Sequence, residues 1–173
     1  MKNFKLTIQY DGTKYKGWQR LSDNDDTIQG KIENVLSRLT KEEIELIGSG
    51  RTDAGTHAEN QIANFKTNSK LSSCEILDYC YEYLPHDIVV KSVEDVDPNF
   101  HSRYNAKSKI YLYKICNKKR HDVFTRKYSY HVKDKLNINK MKEAAEFFLE
   151  NMILKALHPL NPRKNQLLGK FIQ

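Results

Sequence analysis

The chain has 173 residues, an apolar fraction of 39% and seventeen Phe and Tyr side chains, enough for one compact core or a domain and a half and too much for wholesale disorder. Its formal net charge of +7 is unevenly placed. Arg103 to Lys142 holds thirteen Lys or Arg against Asp122 and Asp134, which leaves the rest of the chain net acidic.

Cys74, Cys80 and Cys116 are odd in number and lack C-x-x-C spacing, so the sequence suggests neither a disulfide framework nor a zinc site. No apolar leader follows Met1, and no apolar run approaches the roughly 18 residues of a membrane span. A soluble protein of the cytoplasm, without membrane contact, is expected.

Phe4, Leu6, Ile8 and Tyr10 alternate with Lys5, Thr7 and Gln9, the pattern of a half-buried strand ending at Asp11-Gly12. After a polar loop, Thr27 is placed to cap a helix whose apolar stripe is Ile28, Ile32, Val35, Leu36 and Leu39. Ile44 to Ile47 reads as a short strand feeding a glycine-punctuated loop, Gly48 to His57, and Ile62 to Phe65 as the strand leaving it. A second helix is expected from Ser72 or Ser73 to Tyr83, with Ile76, Leu77, Cys80 and Leu84 inward. Pro85 ends it, and Ile88-Val89-Val90 starts another strand.

The resulting order over residues 1–96 is β-α-β-β-α-β. This is the α+β, ferredoxin-like arrangement of a four-stranded antiparallel sheet with both helices on one face. Residues 97–149 read as the start of a second, similar half. Ile110 to Cys116 is expected to be a strand with Tyr111 and Tyr113 on one face, Tyr128 to Val132 is a candidate partner, and Ile138, Met141, Ala145 and Phe148 mark a helix. The basic stripe lies in this half, interleaved with Tyr104, Tyr111, Tyr113, Phe124, Tyr128 and Tyr130. That composition suits phosphate contacts and stacking on unpaired bases, although a solvated Lys-rich face has the same composition.

The chemistry-bearing stretch is Gly48-Ser49-Gly50-Arg51-Thr52-Asp53-Ala54-Gly55. Its glycines permit positive φ and close approach of a ligand, and it presents one acid and one base. It lacks the Gly-Lys-Ser/Thr ending of a phosphate-binding P-loop and the G-x-G-x-x-G of a dinucleotide site. From spacing alone, a tight turn with a weak Arg51–Asp53 surface ion pair is the plainer reading.

Gly50 to Ala58 resembles the G-R-T-D-A-G-V-H-A signature of the TruA family of tRNA pseudouridine synthases, departing only at Thr56. Four further segments match in the family's order: Tyr10-Asp11-Gly12 with Gly17-Trp18-Gln19-Arg20, Thr27-Ile28-Gln29, Phe100-His101-Ser102-Arg103, and Tyr111-Leu112-Tyr113. The resemblance covers residues 1 to about 149. It implies isomerisation of uridine to pseudouridine in the tRNA anticodon stem-loop, at positions 38–40.

That chemistry breaks an N-glycosidic bond, turns the uracil and rejoins it through carbon. It calls for a carboxylate nucleophile or base, with no redox cofactor or metal. By the resemblance Asp53 is that carboxylate, Arg51 fills the gap left by the flipped base, and Tyr111 stacks on the target. Arg51 or Arg103 is expected beside Asp53 to keep it ionised. Trp18, Gln19, Arg20 and Gln29 are assigned to RNA contact or to support of the cleft, and His57 to a structural hydrogen bond. Family members resemble homodimers whose two subunits share one tRNA. A non-catalytic RNA-binding module is the alternative reading.

The family is longer, and its helix matching Met141 to Leu149 leads into a Gly-x-His-Asp-Phe segment. Here Leu149 is followed by Glu150-Asn151-Met152-Ile153-Leu154-Lys155. One set of codons for those residues, shifted by a nucleotide, reads Gly-Glu-His-Asp-Phe-Lys. Residues 150–173 are therefore expected to be an out-of-frame tail, and a chain so interrupted to have little or no activity.

Overall fold

The computed structural model describes residues 1–22 and 26–146. The expected tail at 150–173 and the Phe148 helix position lie outside the described residues. The chain divides into two compact units, the first Met1–Ala106 and the second beginning at Lys107.

In the first unit β1 (Lys2–Tyr10), α1 (Ile28–Thr40), β2 (Ile47–Gly48), β3 (Ala58–Thr67), α2 (Ser73–Tyr83) and β4 (Ile88–Val96) follow in the expected order. The sheet runs β2-β3-β1-β4, every pairing antiparallel. Strand alternation makes the layers. Phe4, Leu6, Ile8 and Tyr10 share a face and join Ile28, Ile32, Val35 and Leu36 of α1 and Ile76 and Cys80 of α2 in one buried cluster. Both helices therefore cover the same side of the sheet. Across that face Leu6 opposes Ala63, and Phe4 stacks on Phe65 with ring centroids 5.6 Å apart.

Both helix starts follow from local chemistry. The Thr27 hydroxyl accepts from the Gly30 amide, and the Ile28 and Gln29 amides donate to the carbonyls of Gly17 and Trp18, so the loop before α1 satisfies its otherwise unpaired first turn. In α2, Ser72 and Glu75 form a reciprocal capping box. Hydrogen bonds from the Ser72 backbone and hydroxyl hold the Glu75 carboxyl below its ordinary value of 4.5. A carboxyl lowered in the folded state contributes stability above its ordinary value and loses that contribution as pH falls through the lowered one. Glu75→Ala is accordingly expected to reduce urea resistance at pH 7, with the difference from wild type shrinking as the medium is acidified below that range.

The strand expected over Ile44 to Ile47 is only Ile47–Gly48. The backbone ahead of it is committed to α1: the Ile44 amide donates to Ser37 Oγ (3.0 Å), the Leu46 amide to Glu33 Oε1 (2.9 Å), and the Leu46 carbonyl accepts from Gln29 Nε2 (3.0 Å). Groups already paired with a helix have none left for a ladder. The first unit also runs past 96. On the sheet face opposite the helices, buried Asn3 donates to the carbonyls of Asp97 and Phe100, and Asn64 Oδ1 accepts from the Ser102 amide, fastening 97–102 to the strands.

The second unit is held by fewer interactions among its described residues. The expected strand Ile110 to Cys116 is reduced to β5 (Ile115–Cys116), which pairs in parallel with β6 (Tyr130–His131). Two paired residues of β6 support no more than two of β5, and among the described residues Ile110 and Tyr113 of the alternating pattern remain exposed. Asn117 stitches the region by donating to the carbonyls of Val132 and Asp134 and accepting from the Leu136 amide. The helix α3 (Ile138–Glu146) has no buried residue among those described.

Candidate active site

The loop between β2 and β3 is built outward from its supports. At its entrance the Ser49 amide donates to the Ile62 carbonyl (2.7 Å), and Gln61 Nε2 donates to the Gly50 carbonyl (2.6 Å). In the middle the Trp18 amide donates to the Thr52 carbonyl (3.0 Å), while the Tyr10 hydroxyl and Thr52 Oγ1 lie 2.8 Å apart. The Thr56 amide donates back to the Asp53 carbonyl (3.1 Å), closing a turn across Ala54 and Gly55. The Gly55 amide reaches the Tyr15 carbonyl at 3.3 Å, and φ of +76° at Gly55 accounts for glycine there. The loop is thus tied to β3 at its start and to the segment from Tyr10 to Trp18 at its middle and end. Asp53 and Arg51 are both exposed on it.

Close approach explains the supporting segment's composition. A Cβ on Gly12 would stand 2.0 Å from the Thr56 carbonyl oxygen, and one on Gly17 would stand 2.6 Å from that of Thr52. Gly48 faces the Trp18 ring, where a Cβ would come within 2.7 Å. Trp18 is only 2% exposed and is a core residue, so direct RNA contact by its ring is excluded in this fold. Gln29 is likewise buried support: its Oε1 accepts from the Arg20 amide, and its Nε2 donates to Glu33 Oε1 and to the Leu46 carbonyl. Arg20 reaches Glu33 Oε2 at 3.2 Å.

His57 has the structural role expected of it. Its Nδ1 lies 3.1 Å from the Gly12 amide and 3.0 Å from Asp11 Oδ1. Tyr15, beneath the loop's far end, donates its hydroxyl to Asp87 Oδ1 (2.5 Å). Burial, and then that carboxylate, push the Tyr15 hydroxyl well above the ordinary tyrosine range.

Asp53 and Arg51 come together on one loop without pairing. No ion pair joins Asp53 to Arg51 or to Arg103 among the described residues. The reason is solvation: an exposed carboxylate is stabilised by water, and a surface ion pair adds only about 0–1 kcal/mol against the entropy of fixing two side chains. Arg103 is exposed but well anchored, because the Ser102 amide is held by Asn64 and the Ser102 hydroxyl bonds the Ile47 carbonyl, at the strand that leads into the loop. Tyr111 belongs to the second unit, where it is 57% exposed and outside any strand.

Sequence reasoning overlooked Asn3, Asn64, Glu33 and Gln61. The available signal was asparagine inside strands, where it is normally depleted, and a glutamate beside the apolar stripe of α1. Cys80 is a core thiol pushed up to about 12 by burial. Among the described residues no cluster of three or more His, Cys, Asp or Glu is placed to hold a metal ion, and no helix is long and apolar enough to cross a membrane.

The loop so held, between two antiparallel strands and with Asp53 facing solvent, is the one whose residues resemble the pseudouridine synthase signature. A family profile described as tRNA pseudouridine synthase matches residues 6–105. The chain is 51% identical over 168 residues to a Bacillus cereus (strain ZK / E33L) protein named tRNA pseudouridine synthase A 2, covering 97% of this chain and 69% of that one. It is 56% identical over 149 residues to tRNA pseudouridine synthase A 1 of Clostridium tetani (strain Massachusetts / E88), covering 86% and 61% respectively. A Bacillus sp. (strain KSM-64) tRNA pseudouridine synthase A is 54% identical over 149 residues, with 86% and 61% covered. The chain belongs to the tRNA pseudouridine synthases, a family of isomerases, and within them to the A type, the TruA family.

Proposed function

We infer that the first unit is the catalytic half of a synthase that isomerises uridines in the anticodon stem-loop of tRNA, positions 38–40, with Asp53 as the attacking carboxylate. The observation that carries this reading is the setting of Asp53: an exposed carboxylate on a loop fastened at its start to the sheet, in its middle to buried Trp18 and Tyr10, and at its end to buried Tyr15. A held nucleophile presented to solvent is suited to a large substrate brought to it from outside.

Arg51, two residues earlier on the same loop, is assigned to the gap left by the flipped nucleotide, whose extrusion costs a few kcal/mol. Arg103, anchored through Ser102, is assigned to supply positive charge near the reacting carboxylate once tRNA excludes water. Tyr111 is assigned to stack on the target uracil, and the basic residues from Arg103 to Lys142 to neutralise phosphates. A cytoplasmic location and a homodimer sharing one tRNA complete the proposal, with no cofactor.

The test is incubation with an unmodified tRNA transcript followed by pseudouridine mapping. The gene past codon 149 is read in parallel, and where the adjacent frame continues as Gly-Glu-His-Asp-Phe-Lys the restored product is assayed beside this chain. Pseudouridine confined to the anticodon arm is expected from the restored product, with little or none from this chain. Salt-sensitive tRNA binding with no isomerisation by either protein would favour the RNA-binding module instead.

A further inference from the structure

The carboxylate of Asp53 has no hydrogen bond or ion pair of its own among the described residues, so its aim is set by the residues on either side. Downstream, the Gly55 amide is fastened to Tyr15 and the Thr56 amide to the Asp53 carbonyl. Upstream, Thr52 is held twice, by the Trp18 amide on its carbonyl (3.0 Å) and by the Tyr10 hydroxyl on its side chain (2.8 Å). Both supports are buried. Tyr10 is 3% exposed at the end of the central strand, and its ring lies 6.1 Å from that of Trp18.

We propose that Tyr10 and Thr52 form a positioning pair for the reaction, the Tyr10 hydroxyl gripping the Thr52 side chain and thereby setting the direction in which Asp53 presents its carboxylate. The proposal rests on the assignment of Asp53 as the reacting group. Burial raises the Tyr10 hydroxyl above the ordinary tyrosine range, the bond to Thr52 opposing this in part, so the phenol keeps its proton at neutral pH and the contact persists. Neither residue is asked to touch the uridine. Their part is to remove freedom from the residue that does, since displacement of a reacting group by about 1 Å is enough to cost on the order of a hundredfold in rate.

Tyr10→Phe keeps the ring in the core and removes only the hydroxyl, and Thr52→Val keeps the shape of the side chain and removes its partner. In the synthase active on tRNA, each is expected to lower kcat by about 10–100-fold with KM within about twofold. Thr52→Ser should restore most of the rate. The double variant should be no slower than either single one, because the two residues act through one contact. Hydrogen exchange of the Trp18 amide, whose acceptor is the Thr52 carbonyl, provides a readout that needs no turnover: acceleration on the order of tenfold is expected in both single variants.

If the restored product makes no pseudouridine, the assignment of Asp53 fails, and accelerated exchange still establishes the grip on the loop. Unchanged exchange overturns the pair in either case. So does an unchanged kcat in an active enzyme. Additive losses in the double variant, or a kcat loss without faster exchange, would place Tyr10 against the substrate instead and overturn the positioning role.

Discussion

In the synthase active on tRNA, Asp53→Asn is expected to abolish isomerisation, lowering kcat on the order of 10⁴-fold, while tRNA affinity and its salt dependence stay within a few-fold of wild type. The amide has the shape of the carboxylate but is neither a nucleophile nor a base. Folding should be untouched, because the Asp53 side chain is exposed and joins no ion pair among the described residues. Pseudouridine mapping, tRNA binding at two salt concentrations and thermal melting separate the three effects. Residual isomerisation within tenfold of wild type would remove Asp53 from the chemistry, and a large fall in melting temperature would turn the rate loss into a folding defect.

Trp18→Ala should cost about 3–5 kcal/mol, a large part of the roughly 5–15 kcal/mol by which a domain is stable. The indole is 2% exposed and packs against Gly48, where there is no room even for a Cβ, and near the Tyr10 ring. Its removal leaves a cavity under the active-site loop, at the residue whose amide holds the Thr52 carbonyl. Trp18 is the single tryptophan of the chain, so unfolding has to be followed by circular dichroism rather than by indole fluorescence. A cost below about 1 kcal/mol would show that the loop and core close over the gap. Trp18→Phe, which refills part of the space, should lose distinctly less.

Much of the first unit was legible before the structure because its signals are local. Thr27 capping a 3.6-period stripe, Ser72 three residues ahead of Glu75, and alternation from Phe4 to Tyr10 each depend on residues a few positions apart, and each element formed where expected. The alternation of Ile110 to Cys116 had the same quality and gave only two strand residues. A strand depends on a partner that the local sequence does not supply, whereas a helix closes its hydrogen bonds within itself.

The site shows the same division. Asp53, Arg51 and their glycines were readable as a motif, and the motif identified the family. The motif could not show that Trp18 and Gln29 are buried supports. Nor could it show that Glu33, one residue past a core isoleucine, accepts the amide of Leu46 and the side chain of Gln29. Polar side chains carry no sign of whether their partner is water or a backbone group brought in from far along the chain.

The amino-acid sequence by itself determined the order of elements in the first unit, the chemical groups available on the loop and the family to which they belong. These rest on short-range periodicity and on the identity of residues. Only the tertiary structure decided how the loop is held and which way it faces, because its supports join residues tens of positions apart, Tyr10 with Thr52 and Asn64 with Ser102. Such bonds form only after the hydrophobic face has closed, and they turn an exposed aspartate in a turn into an aspartate at a fixed place.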